Sequence, residues 1–224
     1  RKVLQPLTDV NLDWDAFPYL GIREGSVANV PARLSRVGFV GELGYEIHLP
    51  ADGAIAAWDA IMKAGQDYGI CPFGVEAQRM LRLEKGHIIV SQDTDGLTQP
   101  FEVGMKWAVK MDKPFFIGQR SLSIIEKKKR ERVLVGFALP ENHQSPEPKE
   151  CNLVINNGEM KGRITSIGFS PTLGRLIGLA YTDTEDSDVG SLLRIKLDDG
   201  STVEASVVKT PFYDPENLRQ KISG

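Results

Sequence analysis

The stretch Val37-Gly38-Phe39-Val40-Gly41-Glu42-Leu43-Gly44-Tyr45-Glu46-Ile47-His48-Leu49-Pro50 decides how this chain is read. Tyr45, Ile47 and Leu49 alternate with Glu46 and His48, the period of a half-buried strand. Before that alternation Gly38, Gly41 and Gly44 surround Glu42. Glycine admits positive φ and lets another backbone approach, so the spacing predicts a tight turn between strands over residues 30–37 and 44–49. The carboxylate in this turn has two readings. It is a solvated glutamate on a hairpin, or a buried acceptor for a ligand edge with two parallel N–H donors. A guanidinium, an amidine and a pterin ring all present such an edge.

Working outward, residues 1–29 read as irregular, because Asp9, Asn11, Asp13 and Pro18 interrupt any period. A helix is predicted over 53–64, with Asp52 as N-cap, Ile55, Trp58 and Met62 on one face and Gly65 as stop. A second is predicted from Val75 to Glu84, after Pro72-Phe73-Gly74 and before Gly86. His87–Val90 reads as a strand or its stub. Mixed helices and strands in this order predict an α+β domain over residues 1–115. A helix over 118–128 runs into Glu126-Lys127-Lys128-Lys129-Arg130-Glu131-Arg132, which reads as a solvated helix end rather than an anion patch. Residues 116–130 are expected to connect two domains.

Beyond residue 131 the texture changes. Val133, Val135, Phe137 and Leu139 alternate, and Asn157-Gly158 and Asp199-Gly200 are hairpin signals. Short strands with turns at this spacing predict a small antiparallel β-barrel or sandwich over 131–224.

Composition excludes several classes. Hydrophobic residues make up 41% and charged residues 25%, and the net charge of −3 carries no nucleic-acid footprint. No apolar run reaches the length of a membrane span. Cys71 and Cys151 form no metal or redox spacing, and a cytoplasmic setting is expected. Ser91, Asp93, Asp95, Gly96 and Glu102 mimic a calcium loop, but Ser91 replaces its first aspartate and Pro100 interrupts its exit helix. His48, His87 and His143 lie far apart, so no metal site is predicted. Phosphate-binding glycine loops and nucleophile motifs are also absent, so the chain offers no flavin, nicotinamide or catalytic-residue pattern of its own. Trp107 reads as a core residue more readily than as a stacking platform. Arg82 and Glu84, on an amphipathic helix, read as surface pairing residues of little energetic value.

Gly41-Glu42-Leu43-Gly44-Tyr45-Glu46 resembles the signature of the folate-dependent aminomethyltransferase family, which includes the glycine-cleavage T-protein. The run Leu81-Arg82-Leu83-Glu84-Lys85-Gly86, followed by Gln92-Asp93-Thr94-Asp95-Gly96, is similar to the C-terminal region of the α subunit of heterotetrameric sarcosine oxidases. So are Ala16-Phe17-Pro18, Arg23-Glu24-Gly25, Ser170-Pro171-Thr172-Leu173-Gly174-Arg175 and Pro211-Phe212-Tyr213-Asp214-Pro215-Glu216. One position departs from the glycine-cleavage branch. Gln78 stands where that branch has a folate-binding arginine, and Arg79 follows it. A shift of one residue turns a helical side chain by about 100°, so the role passes to neither.

The resemblance implies a ferredoxin-like folate-binding α+β domain followed by a small C-terminal barrel. It implies that Glu42 holds the pterin of tetrahydrofolate and that Tyr45 forms part of the pocket wall. It further implies one-carbon transfer, in which an N-methyl amine such as sarcosine is oxidised to an iminium by a flavin. Tetrahydrofolate then takes the carbon to give 5,10-methylenetetrahydrofolate. Flavin and NAD would sit on other parts of the complex, and other sarcosine oxidase subunits are candidate partners. The family's acid–base aspartate has no match here. The chain starts at Arg1 without methionine and is expected to be the C-terminal part of a longer polypeptide, inactive alone. A stand-alone aminomethyltransferase and a non-catalytic folate-binding module remain alternatives. The Lys-Gly-Cys-Tyr-x-Gly-Gln-Glu motif of the iron–sulfur and RNA-modification relatives is absent, since His87 follows Lys85-Gly86.

Overall fold

In the computed structural model, which describes residues 1–144 and 146–221, strand β1 (Ile22–Val27) lies inside the stretch expected to be irregular. Only Val27 of this strand is buried, so no alternation marks it. Its ladder with β2 (Val30–Ser35) defines it, through register pairs from Ile22↔Ser35 to Val27↔Val30. Ala28 and Asn29 turn the chain with φ of 50° and 64°, the two-residue geometry that matches strand twist. Strand β3 (Glu46–His48) pairs antiparallel with β2, giving the sheet order β1-β2-β3.

Helix α1 (Ala54–Ala64) follows a 3-10 turn at Ala51–Gly53. Asp52 lies inside that turn and is not the cap. Gly53 occupies the N-cap without a side-chain bond, and a Cβ there would lie 2.4 Å from Val30 Cγ1. The helix buries Ala57 and packs Ile61, one turn later on the same face, on the core, whereas Ile55 and Trp58 are exposed. Leu4, Leu12, Phe17, Val27 and Leu34 form the centre of this core.

Two compact units result, Arg1–Arg79 with the tail from Glu216, and Met80–Pro215. Their boundary falls within helix α2 (Val75–Glu84), which has the predicted bounds and stops before Gly86, a residue at φ 68°.

The second unit is built on a closed barrel of six strands: β4 (Arg132–Ala138), β5 (Leu153–Asn156), β6 (Glu159–Ser170), β7 (Arg175–Asp183), β8 (Leu192–Lys196) and β9 (Thr202–Val208). The order around it is β4-β7-β6-β5-β8-β9, with antiparallel neighbours throughout. Closure leaves no unpaired strand edge. Asn157 and Gly158, at φ 51° and 80°, make the predicted β5–β6 turn. Val133, Val135, Phe137 and Leu139 point inward together as their alternation requires.

Three local expectations give way. Helix α3 (Gln119–Ile125) is shorter than the predicted 118–128. His87–Val90 forms no strand. The His87 amide bonds to Arg82 O and the Ile89 amide to Asp93 Oδ2, so these donors serve a helix end and a side chain instead of a ladder. Trp107 is 63% exposed and does not join a core.

Candidate functional site

Within the first unit the glycine-rich segment folds back on its own backbone. A Cβ on Gly38 would lie 2.6 Å from Glu42 O, and one on Gly44 would lie 2.6 Å from Val37 O. Both distances are below real Cβ contacts, so any side chain would open the turn. Gly41 takes φ 83°. The sequence requires glycine here because two chain segments cross without room for a methyl group.

Glu42 sits at the lip of this turn. Its side chain is 42% exposed, which corrects the expectation of a buried acceptor. It is not left to solvent, because Arg219 Nε donates to Glu42 Oε1. The carboxylate therefore meets a planar N–H edge supplied by the C-terminal tail of the same unit. Nothing in the local sequence announced Arg219, which lies 177 residues away.

Tyr45 packs inward. Its ring lies 5.9 Å from that of Phe17, and its hydroxyl is buried without a hydrogen-bond partner among the described residues. Burial pushes the phenol above its ordinary pKa, and the positive charge of Arg36 opposes that shift. Arg36 is itself 1% exposed. It donates to Phe17 O at 2.7 Å and stacks 4.1 Å above the Trp14 ring, while Nε and Nη2 find no partner among the described residues. The sequence reading missed Arg36. Its signal was the inward alternation Ala32, Leu34, Arg36, which continues the strand period past the end of β2.

Gln78 and Arg79 occupy α2; Gln78 is exposed and Arg79 lies 3.7 Å from Glu76. The other half of the motif, in the second unit, is structural. Arg82 and Glu84 are buried, not surface pairing residues. Glu84 accepts from Ser170 Oγ at 2.5 Å and Thr172 Oγ1 at 3.1 Å, which accounts for the Ser170-Pro171-Thr172 run. Lys85 reaches the Asp214 carbonyl at 2.6 Å. Asp93 serves Arg82, and Asp95 serves Arg132, in the loop that mimicked a calcium site.

Comparison with known proteins decides which family shares this turn-and-barrel arrangement. Residues 1–113 match the GCVT N-terminal domain, and residues 132–214 match the glycine cleavage T-protein C-terminal barrel domain. The chain belongs to the glycine-cleavage T-protein family. An aminomethyltransferase from Halothermothrix orenii is 36% identical over 212 residues, covering 95% of this chain and 58% of that protein. The sarcosine oxidase α subunit of Corynebacterium sp. (strain P-1) is 34% identical, covering 97% of this chain and 23% of its own length. Human mitochondrial dimethylglycine dehydrogenase is also 34% identical, covering 99% and 25%. The crystal structure of aminomethyltransferase T of the Bartonella henselae glycine cleavage system superposes with a TM-score of 0.72 at 26% identity, covering 85% of this chain and 50% of that one. This T-protein family member thus spans little more than half the length of the aminomethyltransferases it matches. The α+β and barrel fold inferred from sequence is the fold found.

Proposed function

We propose that this chain is the tetrahydrofolate-binding part of a protein that passes a one-carbon unit from an oxidised N-methyl amine to folate, in the manner of a sarcosine oxidase α subunit. The Glu42–Arg219 pair carries this reading. It supports a carboxylate, fixed by a turn that only glycines permit, as an acceptor suited to a planar donor edge. A pterin carries ring N–H and amino donors in the same kind of edge, so the residue fits the ligand chemically. Bound tetrahydrofolate would supply the nitrogen nucleophiles that take up the carbon.

The chain's own residues orient rather than react. Glu42 would fix the ring by paired hydrogen bonds, which supports near-attack placement. Tyr45 would line the ring's surroundings from the core side, with Arg36 beneath it as a desolvated positive charge. No residue here is assigned an acid–base role, and the isolated chain is expected to bind folate weakly and to turn over nothing. Residues 1–115 would carry folate, 116–130 would connect, and 131–224 would form the barrel part. Flavin and NAD would belong to other regions, and the setting would be cytoplasmic.

A stand-alone aminomethyltransferase working with a separate amine donor is the second reading, favoured by the 36% identity to the Halothermothrix protein. Gln78, in place of the arginine of the glycine-cleavage branch, supports the first. Assay of the full-length protein with sarcosine as sole amine separates them: folate-dependent capture of its methyl carbon supports the oxidase reading, and inertness the transferase. For Glu42 itself, Glu42→Gln in the full-length protein should weaken folate binding about ten-fold or more in calorimetry, a loss of about 1.4 kcal/mol. Unchanged affinity would remove Glu42 from the site.

A further inference from the structure

Glu42 and Arg219 are held in the first unit in very different ways. The turn that carries Glu42 is fixed by backbone crossings at Gly38 and Gly44 that leave no room for a methyl group. Arg219 sits in a single 3-10 turn, Leu218–Gln220, which buries no residue and follows Asn217 at φ 56°. Leu218, the one apolar side chain of that turn, is 58% exposed, so burial does little to anchor it. The carboxylate and the guanidinium are themselves 42% and 51% exposed. Exposed ion pairs are weak, and water or another donor readily replaces one partner. The contact thus joins a rigid acceptor to a lightly held donor.

We propose that the C-terminal tail is a built-in competitor of folate. Arg219 occupies the acceptor on Glu42 that the pterin takes, and folate binds after the tail has swung aside. The inference rests on the folate reading of Glu42. A guanidinium presents Nε–H beside an Nη–H, the same two-donor fork as the ring N–H and amino group of a pterin. Arg219 Nε already donates to Glu42 Oε1. A ligand that needs both carboxylate oxygens therefore excludes the tail. Folate sees only the fraction of molecules whose tail is open, and its apparent affinity falls by that fraction. The contact also screens ligands, because a donor edge weaker than a guanidinium does not displace it.

Calorimetric titration of the full-length protein with 5-formyltetrahydrofolate tests this. Arg219→Ala should tighten binding about three-fold, which corresponds to a tail open in about a third of the molecules. The sign is diagnostic: folate is an anion, and deleting a cation by itself weakens its attraction. Lys221→Ala, the loss of another exposed cation on the same tail, should leave the affinity unchanged or slightly weaker. In a Glu42→Gln background Arg219→Ala should bring no gain. If Glu42→Gln weakens binding while Arg219→Ala leaves it unchanged or weaker, the folate reading stands and the competitor role is overturned. Equal tightening by Lys221→Ala would overturn it too, since the effect would then belong to the tail's charge and not to Arg219. If Glu42→Gln itself changes nothing, Glu42 is not the pterin acceptor and the proposal falls with that reading.

Discussion

The guanidinium of Arg82 and the carboxylate of Asp93 meet at 2.8 Å, with side chains 2% and 0% exposed. Arg82 also donates to Ser166 Oγ at 2.8 Å and to the His87 carbonyl at 3.0 Å. Asp93 accepts from Thr165 and Ser166 hydroxyls, each at 2.6 Å, and from the Ile89 amide at 2.8 Å. Removing two charges from water costs several kcal/mol per ion, and only such dense hydrogen bonding offsets it. The pair ties the end of α2 to β6 of the barrel.

Breaking that pair from one side leaves a buried charge alone. Asp93→Asn should therefore destabilise the fold by about 3–5 kcal/mol in urea unfolding. Adding Arg82→Met should recover part of the loss. Losses that simply add would show that the two side chains do not act as a pair.

Gly44→Ala should destabilise by about 1–3 kcal/mol, because its Cβ would meet Val37 O at 2.6 Å. Gly96→Ala is the control: nothing lies within 4 Å of a Cβ there and its φ is ordinary. Thermal unfolding of both variants checks the contrast, and equal effects would mean that the turn relaxes freely.

Tyr45→Phe deletes a buried hydroxyl that has no partner among the described residues. A gain of about 1 kcal/mol is expected in urea unfolding. A loss of stability would mean that the hydroxyl is satisfied in solution by an ordered water.

Asp95 offers a pH test. Its carboxyl is held at about 2 by the Thr98 hydroxyl first, then by Arg132 and the Leu97 amide. The folded value lies below the ordinary 3.8, so the group stabilises the fold above about pH 4 and that contribution disappears as pH falls through about 2. The side chain is 39% exposed, and the effect should be small and weakened by salt. Urea midpoints of the wild type and Asp95→Asn should converge on acidification; a constant gap would exclude the linkage.

Much of the fold was legible from local pattern. Helix α2 has the bounds that Pro72-Phe73-Gly74 and Gly86 imply, and the Asn157-Gly158 turn sits where its left-handed residues require. Strand β1 was not legible, because Ile22-Arg23-Glu24-Gly25-Ser26-Val27 buries a single side chain and owes its shape to β2. Trp58 misled for a related reason. Size suggests burial, but on this helix Ile61 packs on the core and Ala57, one turn before it, is buried, while Trp58 is exposed.

Short-range chemistry settled wherever a residue and its neighbours suffice: glycines at a backbone crossing, alternation along a strand, caps and hairpins. Burial and partnership did not, because they depend on side chains far apart in the chain. Glu42 read as a turn carboxylate in either of two roles, and only folding brought Arg219 to it. Arg82 read as a surface pairing residue and Asp93 as part of a calcium-like loop until α2 and β6 closed around them. A charge is inexpensive in water and costly without it, so the same two residues are marginal in one context and indispensable in the other.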